Sequence, residues 1–388
     1  MPETIEFAAL SDVGLKRESN EDSYVVDKDL GVFIVCDGLG GHNAGEVASQ
    51  LASKTLLEHV RNSRSVVDEY LNGGGPAGRL KILEMLDLGA NIASNRVHAQ
   101  AALEPEKRGM GTTMVAALVL GAQAFIVHVG DSRLYLLRSG RLEQVTEDHN
   151  AMNDLVKRRG VPLEQVADMV KRNRMTRAIG IYECVETDTL MLDLADGDRL
   201  LLCSDGLSRH FDKTPAELGN LLATDGLDAT TQRLIDAANS RGGQDNVTAI
   251  VVGVHSPDSR DSTRVSRIER ARTMLTRIPL FKRLDQREQR LILQIMQVVK
   301  FPAGEVVIRE GEDGDRFFIV LKGAFLVTRK GAPIRPLGPG EHFGEMALIR
   351  NRPRVATVAA QQPGELLAIG RTDFYAILQK KPRLAVKI

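Results

Sequence analysis

Five aspartates in this sequence stand where apolar, β-like runs begin or end, and that recurrence limits the folds open to the chain. "SYVV" and "GVFIVC" flank the turn-like "DKDLG" and read as a β-hairpin, with Asp22 just before the first strand and Asp37 just after the second. In an antiparallel hairpin those two positions are neighbours at the open end. "RLLLCSDG" ends a strand at Asp205, "QDNVTAIVVGV" begins one at Asp245, and "AFIVHVGDSR" ends a third at Asp131. Carboxylates that leave some strands and enter others can all sit on one edge of an antiparallel sheet. A lone strand-end aspartate beside glycine is ordinarily a turn residue, but turns do not require aspartate at every one of these ends. Carboxylates so crowded repel, and most must take up protons unless a cation joins them. An all-oxygen, carboxylate-rich site with retained water suits Mg²⁺ or Mn²⁺.

The glycines of "FIVCDGLGGHNAGE", Phe33 to Glu46, do not make a nucleotide loop. Asn43 stands where a G-x-G-x-x-G turn needs its third glycine, the acid precedes the glycines, and no G-K-[ST] follows. Ser204 is not a hydrolase nucleophile, because Leu202 occupies the first glycine position of G-x-S-x-G. A cysteine-nucleophile phosphatase is not expected either, on the reading that no Cys-x₅-Arg signature is present. Cys36 and Cys203 end apolar runs as buried thiols, and the three cysteines have no C-x-x-C spacing, which fits a reducing compartment.

A chain of 388 residues is comfortable for two domains. Its 51 basic and 51 acidic residues cancel, so no global field argues for nucleic acid or membrane, and no apolar run approaches the length of a membrane span. No signal-like segment is read, and a cytoplasmic protein is expected. The texture changes once. Strands and helices are mixed up to Val254; "HSPDSRDSTRVSRIERARTMLTR" is a polar, arginine-rich joint that turns helical near Val265. From Phe301, short β-rich runs alternate with glycines, as in a small jelly roll or barrel. The expected division is a first domain over 1–254, a linker over 255–264 and a second domain over 265–388.

"SDVGLKRESNEDSY", "FIVCDGLGGH", "GMGTTMVAAL", "VHVGDSRLYLL", "EDHN", "TRAIG", "LLCSDGLS" and "GGQDNVTAIVV" follow one another in an order that resembles the metal-dependent Ser/Thr protein phosphatases of the type 2C family, in their bacterial form. The resemblance covers roughly residues 5–254 and implies an αββα sandwich. It implies two metal ions, Mg²⁺ or Mn²⁺, joined by a bridging water. Asp37 would bridge both ions, Gly38 would lend its backbone carbonyl to one, and Asp205 and Asp245 would complete the other. Asp22 would hold metal-bound water, with Glu21 an outer candidate. Asp131 matches the position of a third, weaker metal, and Arg17 the arginine that grips the substrate phosphate. Leu39 takes the place where some members carry a histidine proposed as general acid; His42 is a nearby substitute, and no general acid is assigned. Residues 150–176 occupy the place of a mobile flap beside the active site.

In "FGEMALIRNRPRVATV" a strand ends at Gly344, a short helical turn comes next, and Arg354 precedes a new strand. Backbone N–H groups at such a turn plus one arginine make an anion site. Glu345 beside it can accept from a ribose hydroxyl. The stretch resembles the phosphate-binding cassette of cyclic-nucleotide-binding domains, and "EGEDGDRFFIVLKGAFLV" matches their preceding hairpin. The likeness covers roughly 265–388 and implies a helix-flanked β jelly roll, so the whole chain is of α+β class. Arg354 would pair with the cyclic phosphate, Glu345 with the 2′-hydroxyl, and Gly344 and Ala347 would offer backbone donors. Val355 lacks the hydroxyl that favours cGMP in some members, which points to cAMP. "RTDFYAILQ" reads as one short helix, and Pro382 interrupts the chain beyond it. A lid over the base is then expected from the phosphatase domain, the arginine-rich helix or a second protomer of a homo-oligomer.

The function expected is hydrolysis of phospho-Ser/Thr on phosphoproteins, targets of a Ser/Thr kinase, regulated in cis by cyclic nucleotide. Nucleic acid and membrane are not expected partners. The alternatives are a catalytically silent sensor and a phosphatase whose barrel only contacts proteins. The complete aspartate set disfavours the first and the Glu345–Arg354 pair the second.

Overall fold

The computed structural model describes residues 5–40, 44–158, 175–255, 270–271, 273–284, 286–349, 353–380 and 382–388. The chain divides into two compact units, Met1–Ser259 and Arg260–Ile388. His42, most of the flap segment, the joint after residue 255 and the expected helix start at Val265 lie outside the described residues.

The first unit holds two antiparallel sheets. One runs in the order Ile5–Asp12, Val247–Val254, Arg199–Cys203, Arg133–Arg138, Arg141–Gln144. The other runs Asp22–Asp27, Val32–Leu39, Met114–Leu120, Gln123–Val129, Asp188–Asp193, with the short strand Gly111–Thr112 on the end of Val32–Leu39. Both faces of each sheet are covered, and the sequence shows why. Successive side chains of a strand point to opposite faces, and here both sets are apolar. Phe33 and Val35 meet Leu200, Leu202, Ile250 and Val252 between the sheets. Val32, Ile34 and Cys36 face outward and pack with Ala48, Ala52 and Leu56 of the helix Ala44–Asn62 and with Ile82 and Leu86 of Gly75–Leu103. On the other outer face, Leu201, Cys203, Ala249 and Val251 lie under Leu218, Leu222, Leu234 and Ile235 of Pro215–Leu222 and Leu227–Ser240. The layers are therefore helix, sheet, sheet, helix, and each fully buried Phe or Leu contributes about 1.5–3 kcal/mol.

The second unit is a β roll of two four-stranded antiparallel sheets. Their orders are Gln297–Phe301, Gly364–Gly370, Arg316–Lys322, His342–Phe343 and Val306–Ile308, Thr357–Ala360, Phe325–Arg329, Ala332–Leu337. Phe318, Val320, Phe325, Leu337, Val358 and Leu366 fill its interior. The alternate residues Phe317, Ile319 and Leu321 pack outward on Phe281, Ile292 and Phe374. Pro382 does more than interrupt: after the helix Arg371–Lys380 it opens a second helix, Pro382–Lys387, a position where the missing N–H is harmless. Among the described residues no helix is long and apolar enough to cross a membrane.

Candidate functional site

Asp22 and Asp37 are direct cross-strand partners in the hairpin, Asp22↔Asp37. Both lie inside strands, since Asp22 begins Asp22–Asp27 and Val32–Leu39 continues two residues past Asp37. The expectation of a single sheet edge needs correction. Asp22 and Asp37 lie in strands of one sheet, Asp205 and Asp245 flank strands of the other, and Asp131 lies in the connection from Gln123–Val129 of the first sheet to Arg133–Arg138 of the second. The five meet because the stacked sheets present the same end. Asp131 follows Val129 after a bend, Asp205 opens the helical turn Asp205–Ser208 after Ser204, and Asp245 precedes Val247–Val254.

The carboxylate of Asp22 ties the sheets together. Its Oδ2 accepts from Ser204 Oγ and from Thr248 Oγ1, each at 2.7 Å. Its Oδ1 is buried without a partner. Burial pushes Asp22 up to about 7 against those two hydrogen bonds, with Asp205 and Asp245 adding repulsion. Burial likewise holds Asp37 well above the usual carboxylate range, reinforced by Asp22, Asp205, Asp131 and Asp245. Asp131 is pushed up to about 7 by burial, then by Asp205 and Asp148. Asp205 is raised by burial and by Asp245, although Arg209 opposes the shift. Asp245 goes the other way: burial raises it, but Arg209 and Arg17 outweigh burial and hold it low.

The backbone around Asp37 is pinned by two threonines of "GMGTTMVAAL", to which the sequence alone assigns no role. Thr113 Oγ1 accepts from the Asp37 N–H at 2.9 Å, and Thr112 Oγ1 donates to the Asp37 carbonyl at 2.8 Å. Gly38 is required by space, since a Cβ there would lie 2.2 Å from the Gly45 carbonyl oxygen. Asn246 holds the loop that carries Arg17: its Oδ1 accepts from the Glu21 N–H at 2.8 Å, and its Nδ2 donates to the Val13 and Ser19 carbonyls, each at 2.9 Å. Arg17 itself is half-exposed and reaches Asp245 Oδ1 at 2.9 Å. Glu21, beside it, is raised by burial.

These donors fit a hard divalent cation. They are all oxygens, one of them buried and unpartnered, and four of the five aspartates are pushed toward protonation by burial and one another's charge. Among the described residues no three of them form a ready-made metal cage. The Arg209 guanidinium is held between Asp205 and Asp245.

Cys203 and Arg209 stand at the Cys-x₅-Arg spacing of cysteine-nucleophile phosphatases, so the expectation that no such signature is present is wrong. The structure excludes that chemistry. Cys203 is fully buried on the helix-covered face, burial pushes its thiol up to about 12, and Arg209 serves carboxylates instead.

In the second unit Gly344 has φ +80°, a left-handed conformation natural to glycine, and the turn Met346–Ile349 comes directly after. Arg354 reaches back to this turn. Its Nη2 donates to the Arg316 carbonyl at 2.7 Å, and burial lowers its pKa. A Cβ on Gly314 would lie 2.0 Å from Arg354 Nε, so glycine there makes room for the guanidinium. The Ala347 N–H donates to the Gly344 carbonyl at 3.0 Å, so this expected ligand donor is engaged within the turn. Glu345 is half-buried beside it, and Val355 is exposed next to Arg354.

Comparison with known proteins adds two family matches: residues 298–381 to the cyclic nucleotide-binding domain and residues 16–249 to protein phosphatase 2C. The serine/threonine protein phosphatase PstP of Mycobacterium tuberculosis is 39% identical over 251 residues, 64% of this chain and 45% of that protein. The chain thus spans less than half the length of that relative. The serine/threonine phosphatase stp of Listeria monocytogenes is 34% identical over 245 residues, 62% of this chain and 93% of that protein. The crystal structure of Mycobacterium tuberculosis PstP/Ppp superposes with a TM-score of 0.55 at 37% identity, covering 65% of this chain and all of that one. The catalytic domain of PstP in complex with two manganese ions gives 0.54 at 36% identity, over 65% of this chain and 99% of that one. With its helix–sheet–sheet–helix layers and its strand-end aspartates inside the matched span, the chain belongs to the protein phosphatase 2C family.

Proposed function

We propose that this chain is a cytoplasmic, metal-dependent phosphoprotein phosphatase that hydrolyses phospho-Ser/Thr and is regulated in cis by cAMP. The observation that carries the reading is the set of five aspartates at the common end of two sheets, with Asp22 Oδ1 buried and unpartnered. Asp37, the Gly38 carbonyl, Asp205 and Asp245 are the residues to hold two Mn²⁺ or Mg²⁺ ions. Asp22 orients water there, and Asp131 supplies a third position. Once bound, such ions lower the pKa of a shared water and neutralise the phosphomonoester dianion.

The chain's own groups do the rest. Thr112 and Thr113 fix the Asp37 backbone and so hold in place the strand end that carries its carboxylate. Arg17, half-exposed on a loop pinned by Asn246, forks onto phosphate oxygens as charge builds on them. In the second unit Arg354 and Glu345 flank the turn that takes the cyclic phosphate and ribose, and the apolar Val355 fits adenine better than guanine. Phosphopeptide hydrolysis by the full chain tests the reading. Activity is expected with Mn²⁺, none with chelator, and a changed rate on adding cAMP. A rate that ignores Mn²⁺ contradicts the catalytic half, and one that ignores cAMP the regulatory half.

A further inference from the structure

Arg209 stands at the start of the tight turn Arg209–Phe211, directly after Asp205–Ser208. Its Nε donates to the Asp205 carbonyl at 3.1 Å. Its Nη2 donates to Asp205 Oδ1 at 2.9 Å and to Asp245 Oδ2 at 2.6 Å. The remaining Asp245 oxygen, Oδ1, takes Arg17. One guanidinium nitrogen thus lies between two carboxylates from different strand ends. The Arg209 side chain is 32% exposed, so it has a short way to water.

A guanidinium and a hard divalent cation ask for the same carboxylate lone pairs, and both supply positive charge where Asp37, Asp205 and Asp245 repel one another. We propose that Arg209 is an internal competitor for metal, occupying Asp205 and Asp245 in the metal-free protein and giving them up when a divalent cation binds. The proposal rests on the reading of those two aspartates as metal-holding residues. It gives Arg209 two consequences. The metal-free site is held together without protonating every carboxylate, and the affinity for the ion is set lower than the aspartates alone would give. A merely structural Arg209, fastening Asp205 and Asp245 in position, has the opposite consequence, because its loss would disorder the ligands and weaken metal binding.

Calorimetric titration of the full chain with Mn²⁺ separates the two. Arg209→Gln is expected to bind Mn²⁺ about tenfold more tightly than the wild type, the size of a lost charge-assisted hydrogen bond. Arg209→Lys, which keeps a cation on a flexible stem, is expected to stay within about threefold of the wild type. In chelator Arg209→Gln melts below the wild type, and saturating Mn²⁺ closes that gap. Equal or weaker Mn²⁺ binding by Arg209→Gln overturns the competition. An Asp37→Asn control that binds Mn²⁺ as the wild type does overturns the metal assignment beneath it.

Discussion

Asp22 and Asp131 are each pushed up to about 7 by burial and neighbouring carboxylates, and this gives the metal-free protein a stability that depends on pH. The unfolded chain ionises these groups near the ordinary aspartate value. Between that value and about 7 the folded protein therefore binds protons that the unfolded chain has lost, and stability falls as pH rises through this window. Thermal melts in chelator should show a lower Tm at pH 8 than at pH 5.5. Saturating Mn²⁺ should remove most of the difference, because the cation replaces the protons. A chelated Tm that is flat or rises over the same range contradicts the assignment. Asp245, held low by Arg209 and Arg17, contributes stability of the other sign, lost only at strongly acid pH.

At the scale of elements, the turn Met346–Ile349 and Arg354 form one unit, since the arginine is fastened to the Arg316 carbonyl that borders it. Arg354→Ala removes the cation proposed to face a cyclic phosphate. Cyclic AMP binding should weaken at least tenfold, for a contact of about 1.5–3 kcal/mol. Calorimetry giving an unchanged affinity would reject the pocket. The Asp22–Asp37 hairpin was legible in the sequence because two short apolar runs on either side of a turn-like stretch read locally as paired strands. The division of the aspartates between two sheets was not. It depends on the pairing of Ile5–Asp12 with Val247–Val254, elements from opposite ends of the unit. Arg209 was hidden for the same reason, because what it bridges is set by how Arg199–Cys203 pairs with Val247–Val254. The expectation that no Cys-x₅-Arg signature is present misses the Cys203–Arg209 spacing, and it is the burial of the thiol that shows Cys203 carries no nucleophile. Resemblance supplied the αββα layering and the ligand roles that local pattern alone left open.

Across the whole molecule, two units with unrelated architectures share one chain: a sandwich whose sheet ends gather carboxylates and a β roll with an arginine at its cassette. Nucleotide can alter catalysis only by binding two states of the chain with different affinity, and typical linkage of about 1–3 kcal/mol corresponds to a several-fold to 100-fold effect. That regulation presupposes the catalytic centre, which is the central claim. The direct test is phosphopeptide turnover by full-length wild type and Asp37→Asn at saturating Mn²⁺, with circular dichroism to confirm that both are folded. The account predicts a loss of more than about 100-fold in a folded variant, since Asp37 is the carboxylate assigned to both ions. Turnover by Asp37→Asn at the wild-type rate would contradict it.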